Sequence, residues 1–175
     1  LRILSRNISI NSFSDKIKIF PIALSNEENK ILKFEEKKFI EGGSGNNFNN
    51  RIDHNGSLIT EDKIKNSYQT MGTTIEYLIE NNILDVPNYI KIDVDGIEHK
   101  ILKGAIKVIK NPNLREVLIE TNPYNKDQMI FIDNFFVDNG FKKEFATNYK
   151  ILRDKNYKIP ELDSLNTLYK KNYDS

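Results

Sequence analysis

Two periods of apolar residues run through the chain, one typical of α-helices and one typical of β-strands. Leu1, Leu4 and Ile8 are spaced as on one face of a helix. A later run is rich in Gly, Asn and Ser and shows little periodicity, which predicts a long loop. The elements predicted for the first half are a helix over residues 1–11, strands over residues 16–24 and 30–36, and a loop over residues 42–72 with a short strand near residues 57–60.

Helix and strand patterns alternate in the second half. One apolar stripe of helical period follows Gly96 and consists of Ile97, Ile101, Leu102, Ala105, Val108 and Ile109. The predicted elements are a helix over residues 73–82 capped by Thr73 or Thr74, a strand over residues 88–94, the helix after Gly96, a strand over residues 114–121, a helix over residues 127–140 that Gly140 ends, and strands over residues 141–147, 149–154 and 165–171. This order indicates βαβ units and a parallel sheet in a single domain.

Composition narrows the class of protein. The 175 residues are 38% apolar and 29% charged, as in soluble globular proteins. Without cysteine there are no disulfides, thiolate metal sites or thiol catalysis. Basic residues are scattered at a net charge of +1, and no apolar run approaches the ~20 residues of a membrane span, so we expect no nucleic-acid or membrane partner. The chain begins at Leu1, and we expect it to be a piece of a longer protein.

The strongest chemical signal is the run NYIKIDVDGIEHKILKGA, residues 88–105. An apolar strand ends in Asp93 and Asp95, and Gly96 then makes a turn into a helix. Ligands of open α/β sheets bind outside the carboxyl ends of strands. On a strand Lys91, Asp93 and Asp95 point to one side, with the two carboxylates about 6–7 Å apart. Such a pair suits binding of a cation or of a cation and a hydroxyl.

The acidic run also allows other interpretations. Asp95 and Glu98 have the spacing of a capping box, so a helix-cap role stays open for both. Asp93 is not explained in that way and favours function. An EF-hand loop fails because Ile97 occupies an acidic position, and a haloacid-dehalogenase phosphatase would carry its acidic strand near the start of the domain. Residues 93–95 do match the short acidic motif of metal-dependent glycosyltransferases.

The longer pattern resembles the FkbM-type methyltransferase family. Residues 89–98 read YIKIDVDGIE, residues 101–105 read ILKGA, and the next strand, VLIE, ends in Glu120. Residues 4–34 and 73–88 are also similar to segments of that family, so the resemblance extends from residue 4 to about residue 146. Asp95 stands where the family usually has Glu. The family's first strands and glycine loop would precede this chain.

The resemblance implies an α/β, Rossmann-like methyltransferase fold with a mostly parallel sheet, helices on both faces and its first strands lacking. It implies S-adenosyl-L-methionine as the cofactor and O-methylation of a sugar or other small metabolite by a cytoplasmic enzyme. Ala23, Leu24 and Ser25 are expected near the adenine, although plain core packing of Ala23 and Leu24 stays open. Asp93 is expected near the methyl group.

The candidate catalytic residues are Asp93, Asp95 and Glu98, and the candidate substrate-binding residues are Glu120 and His99. A carboxylate within reach of a hydroxyl can accept its proton. Exposed polar roles remain open for Glu120 and His99, and His54 is a weaker candidate as a lid residue. No metal site is assigned.

Two other functions compete with methyl transfer. A glycosyltransferase would use Asp93 and Asp95 on a metal-bound nucleotide sugar. An inactive fragment or interaction domain would explain the missing glycine loop. Lost strands would also leave an exposed sheet edge, which predicts self-association of the chain.

Overall fold

The computed structural model describes residues 1–37, 46–48, 51, 57–94, 96–147 and 165–172. Helices and strands alternate through these segments. In chain order they are α1 (Arg2–Ile10), β1 (Ala23–Leu24), β2 (Lys30–Glu36), β3 (Asn46–Phe48), a 3₁₀ turn (Glu61–Lys63), β4 (Asn66–Thr73), α2 (Ile75–Glu80), β5 (Tyr89–Ile92), α3 (Glu98–Lys103), α4 (Ile106–Lys110), β6 (Glu116–Thr121), α5 (Lys126–Asp138), β7 (Phe141–Thr147) and β8 (Leu165–Lys171).

The strands form two mixed sheets, in the orders β1-β4-β2-β3 and β5-β6-β8-β7. Two of the neighbouring pairs in the described segments, β1–β4 and β5–β6, are parallel. The pairs β2–β3, β2–β4, β6–β8 and β7–β8 are antiparallel. The structure is therefore α/β, as predicted, but the sheets are mixed where a mostly parallel sheet was expected. The alternation of helix and strand patterns in the sequence predicts the parallel pair β5–β6. It does not predict that β8 lies between β6 and β7 and is antiparallel to both.

The predicted loop over residues 42–72 is wrong at its end, because β4 occupies residues 66–73. β4 pairs with β2 along its length, from Asn66 opposite Glu36 to Gly72 opposite Lys30. Four of its eight residues are exposed and only the last two are buried, so the strand shows no apolar alternation. Pairing with a distant strand stabilises it. The predicted strand over residues 149–154 lies outside the described residues, as does His54.

The strand predicted over residues 16–24 is also largely wrong, because only Ala23 and Leu24 pair, both with β4. Ile17 is exposed and Ile19 is only half-buried, so the alternating apolar residues before Pro21 do not form a buried strand face. The predictions for α1, α2, β2, β5, β6, α5, β7 and β8 are confirmed. Gly140 follows α5 with φ of +79°, a backbone conformation that favours glycine at the end of a helix.

The helix predicted after Gly96 is divided into α3 and α4 at Gly104 and Ala105. All six residues of its predicted apolar stripe are buried. All of them except Val108 pack in one core with Val117 and Ile119 of β6, and with residues of α5 and β8. In that core Phe136 of α5 stacks on Tyr169 of β8 with ring centroids 4.1 Å apart. This packing sets α3 against α5, next to the ends of β5 and β6.

Candidate functional site

The site begins where two neighbouring parallel strands end. Ile92 of β5 pairs with Ile119 of β6. The next residues along the chain are Asp93, just after β5, and Glu120, near the end of β6. Ile92 and Ile119 are buried, whereas Asp93 is exposed and Glu120 is half-buried. Because parallel strands end at the same edge of a sheet, both carboxylates belong to one edge. The structure thus brings together two of the acidic residues singled out in the sequence.

Asp93 is open to solvent, with 47% of its side chain exposed. Its Oδ2 lies 2.5 Å from Lys91 Nζ, so the two side chains point to the same side of the chain, as predicted. An exposed ion pair of this kind contributes little to stability. Asp93 is therefore available to a ligand. Asp95 lies outside the described residues.

Glu98 opens α3, and its position corrects the predicted capping box. The N-cap of α3 is Ile97, whose side chain makes no capping hydrogen bond. Glu98 is therefore the first residue of the helix, whereas a capping box that began at Asp95 would make it the third. Gly96 has φ of +96°, and this turn delays the start of the helix. Glu98 Oε1 instead accepts a hydrogen bond from the Gly96 backbone N–H at 3.3 Å. The carboxylate folds back onto the turn that follows the acidic strand end.

Burial makes Glu98 chemically unusual. Only 3% of its surface is exposed. Burial raises the pKa of Glu98 from an ordinary 4.5 to about 7, and the nearby charge of Glu120 also raises it. Hydrogen bonds from the backbone and from Gln128 act in the opposite direction. A carboxyl group with a pKa near 7 can hold or release a proton at neutral pH, which is the property required of a general acid or base.

Gln128 of α5 was not identified from the sequence. It is 6% exposed, and its Nε2 lies 3.0 Å from Gly96 O, 2.9 Å from Glu98 Oε2 and 3.1 Å from His99 Nδ1. Gln128 shares the buried stripe of α5 with Ile132 and Phe136 at a spacing of four residues. A polar residue on an apolar helical stripe is the sequence signal that would have found it.

His99 is half-buried, not exposed as the polar interpretation would have it. Burial lowers the pKa of His99, and the positive charges of Lys103 and Lys100 lower it further. The ring meets Phe131 edge-on, with centroids 6.3 Å apart. The lowered pKa favours the neutral ring, which is suited to hydrogen bonding.

The predicted adenine-side residues lie elsewhere. Ala23 and Leu24 are half-buried and pack against the hydrophobic core, while Ser25 is 6% exposed. Ser25 touches Gly104, immediately after α3, whereas Glu98 begins α3. Six helical residues, or about 9 Å, separate the two ends. These residues therefore lie at the opposite end of α3 from Glu98.

Neither a metal-binding cluster nor a membrane-spanning helix is found in the described segments. Within them, no group of three or more His, Asp or Glu side chains is arranged to hold a metal ion. None of the helices in the described part of the chain is long and apolar enough to cross a membrane.

Comparison with protein families gives a match over most of the chain. The family model described as the methyltransferase FkbM domain matches residues 4–159. The matched range includes the ends of β5 and β6, the Gly96 turn and α5. No curated protein and no solved structure matches the chain. The family match confirms the resemblance carried by residues 89–105.

Proposed function

Because the chain belongs to the FkbM-type methyltransferase family, we propose that it transfers a methyl group from S-adenosyl-L-methionine to a hydroxyl of a sugar or other small metabolite. The observation that carries the proposal is Glu98, a buried carboxyl group with a pKa raised to about 7 beside the acidic ends of β5 and β6. Such a group is suited to accept the proton that the acceptor hydroxyl loses.

The described residues suit this cofactor in charge and polarity. When bound, S-adenosyl-L-methionine supplies an electrophilic methyl group on a positively charged sulfur. Asp93, exposed at the end of β5, provides a negative charge that complements it. Ala23 and Leu24 offer half-buried apolar surface, and Ser25 offers a hydroxyl group next to it. We assign cofactor binding to these four residues.

An acceptor hydroxyl that took up the methyl group supplied by the bound cofactor would have to lose its proton. The acceptor proton passes to Glu98. Since 3% of Glu98 is exposed, we propose that one water molecule carries the proton between them. Asp95 belongs to the catalytic proposal through its place in the motif. The site otherwise acts by aligning the acceptor with the methyl group.

Glu120 and His99 are proposed to bind the acceptor. The Glu120 carboxylate can accept hydrogen bonds from sugar hydroxyls at the end of β6. His99 is held beside Gln128, where its neutral ring offers one donor and one acceptor. A small hydroxylated acceptor, with no nucleic-acid or membrane partner, fits this polar arrangement.

The proposal includes a Rossmann-like domain. β5 and β6 are adjacent parallel strands joined through α3 and α4, which is the βαβ unit of such folds. The acidic residues follow the carboxyl ends of these strands, where ligands of open α/β sheets bind. A cytoplasmic location is also part of the proposal, and a fluorescent fusion would test it.

Thermal unfolding with and without saturating S-adenosylhomocysteine tests the proposal. Ligand at a hundred times its Kd should add about 2.7 kcal/mol to the free energy of unfolding. For a chain of this size the melting temperature should rise by about 5–10 °C. The D93N variant should lose this rise.

A matched control separates ligand binding from general effects of charge. Glu116, at the opposite end of β6, also pairs with a lysine, as its Oε1 lies 3.2 Å from Lys170 Nζ. E116Q should keep the full rise. A rise with a nucleotide sugar and Mn²⁺, but none with S-adenosylhomocysteine, would move the proposal to a glycosyltransferase. No rise with either would support an inactive fragment.

A further inference from the structure

Gln128 connects α5 to the turn that follows the acidic strand end. The residue is held at two points. Its backbone N–H donates to Oδ1 of Asn125, the N-cap of α5, at 3.3 Å. The amide nitrogen then reaches Gly96 O at 3.0 Å and Glu98 Oε2 at 2.9 Å. A residue fixed at its backbone by a helix cap and at its amide by the turn has little rotational freedom.

The amide is fully used. An NH₂ group carries two protons, while three acceptors lie within hydrogen-bond distance: Gly96 O, Glu98 Oε2 and His99 Nδ1. Gln128 therefore serves at most two of them at one time. The Glu98 carboxylate in turn receives the Gly96 N–H on its other oxygen. Gly96 and Glu98 are thus tied together in both directions, once directly and once through Gln128.

We propose that Gln128 is a positioning residue, which fixes the Glu98 carboxylate and the Gly96 turn so that Glu98 and Asp93 keep their places at the ends of the strands. This inference rests on the proposed function, in which Glu98 accepts a proton and Asp93 faces the cofactor. Gln128 would touch neither the acceptor nor the cofactor, and it acts through its hydrogen bonds to Glu98 and to the Gly96 turn. Only an amide suits the position, since it donates to a carboxylate and to a carbonyl oxygen together.

A purely structural role makes a different prediction. Any buried polar side chain that fills the space would support α5 equally well, and the titration of Glu98 would not depend on it. In the positioning role the donated N–H stabilises the charged form of Glu98. The other charge that acts on Glu98 is that of Glu120 in β6. Lys100 and Lys103 act on His99, the neighbour of Glu98 in α3. These groups remain in place when Gln128 alone is changed.

The test is the titration of the Glu98 carboxyl carbon, followed by NMR in protein labelled with ¹³C-glutamate and assigned with E98Q. Removing the donor in Q128M should raise the midpoint by about 1 pH unit, since hydrogen bonds to charged groups are of that strength. The shorter Q128N keeps an amide but withdraws it from Glu98, so it should shift the midpoint in the same direction. It preserves the test if Q128M does not fold.

I132V is the matched control. Ile132 lies one turn further along the same buried stripe and is 0% exposed, but it makes no polar contact with the turn. I132V should weaken α5 packing and leave the Glu98 midpoint unchanged. An unchanged midpoint in folded Q128M, or an equal shift in I132V, would overturn the proposal.

Binding of S-adenosylhomocysteine, measured by calorimetry, separates this inference from the proposed function. Q128M should weaken binding about tenfold, because Gln128 holds the Gly96 turn, which follows Asp93 in the chain. If the unaltered chain does not bind S-adenosylhomocysteine, the proposed function is wrong, and a role of Gln128 in that reaction is wrong with it. If the unaltered chain binds and Q128M binds equally well, the inference alone is wrong.

Discussion

Gly104 and Ser25 are in such close contact that no side chain fits between them. A Cβ at Gly104 would lie 2.3 Å from Ser25 O, and it would also lie 3.0 Å from Thr74 Cγ2 and 3.2 Å from Asn26 Cα. The backbone of Gly104 has φ of −90°, which any residue adopts. Glycine is therefore required here by space and not by backbone conformation. The contact holds the end of β1 against the break between α3 and α4.

G104A should lower the free energy of unfolding by about 1–3 kcal/mol, because the added methyl group must displace backbone atoms. Urea denaturation measures this. It should also weaken S-adenosylhomocysteine binding, since Ser25 is displaced. G140A is the control: nothing lies within 4 Å of its Cβ, but φ is +79°, so it should destabilise through backbone strain and leave ligand binding intact. Unaltered stability of G104A would contradict the observed contact.

The stability of the chain should depend on the proton of Glu98. Burial raises the pKa of Glu98 from 4.5 to about 7 in the folded chain, so folding favours the protonated form. The stabilisation is fully present below pH 4.5 and is lost as the pH rises through about 7. The difference in pKa corresponds to about 3 kcal/mol. E98Q cannot ionise and should lack this loss.

Urea denaturation of the unaltered chain and E98Q at pH 5 and pH 8 checks this prediction. The unaltered chain should lose more free energy of unfolding across that interval than E98Q does. His99 acts in the opposite sense, because burial lowers its pKa and a neutral ring is favoured as the pH rises. Both chains contain His99, so the difference between them isolates Glu98. Equal pH dependence would mean that Glu98 ionises normally.

The helices were predictable because each carries its own apolar stripe. The six residues predicted to be buried after Gly96 are all buried, because their spacing places them on one side even though the helix is divided into α3 and α4. β4 was not predictable. Its residues are mostly polar and half of them are exposed. Its strand conformation depends on pairing with β2, whose paired residues lie 30 to 42 positions earlier in the chain. Such non-local pairing leaves no periodic pattern in the sequence.

The same distinction applies to the site. Asp93 and Glu98 could be selected because a strand end followed by a glycine turn is a local feature. The burial of Glu98 could not be predicted, because α5 covers it from 30 residues away through Gln128. The capping-box interpretation failed for a related reason: the positive φ of Gly96 moves the helix start, and that conformation is set by the packed turn.

Arg51 should stabilise the sheet of β2 and β4 through its planar guanidinium group. Its Nε and Nη2 donate to the two oxygens of buried Glu35 at 3.1 and 3.0 Å, and its Nη1 donates to Glu61 at 2.8 Å. These contacts raise the pKa of Arg51 further above its usual range. R51M leaves the Glu35 carboxylate without this partner and should lower the melting temperature most.

R51K keeps the charge but not the two-pronged geometry, so it should recover only part of the loss. E61Q removes the exposed partner and should have the smallest effect. Thermal unfolding of the three variants at low and high salt should give the largest fall in melting temperature for R51M, a smaller fall for R51K and the smallest for E61Q. An equal loss in E61Q and R51M would contradict a role centred on Glu35.

Tyr169 should contribute through its hydroxyl group as well as its ring. It is fully buried and stacks on Phe136, and its hydroxyl donates to Asp133 of α5. Burial and this hydrogen bond raise the pKa of Tyr169 well above its usual range. Y169F keeps the stack but removes the donor, so it should cost about 1–2 kcal/mol in urea denaturation. The cost stays moderate because Lys143 Nζ still lies 2.9 Å from Asp133 Oδ1.

A double-mutant cycle with K143M tests whether Asp133 joins the two partners. Removing both should cost more than the sum of the single variants, because the Asp133 carboxylate then keeps neither. Additive costs would show that the two contacts are independent.

The edge of β5 should support self-association of the chain. Among the described strands β5 pairs with β6 alone, so its other side presents unpaired backbone groups. Tyr89 on this strand is 60% exposed and adds apolar surface, whereas the charge of Lys91 opposes pairing. Sedimentation velocity over a range of concentrations should therefore show a reversible increase in mass. Y89K adds a second charge to the edge and should shift the chain toward the monomer, while a monodisperse monomer at every concentration would show that this edge does not pair.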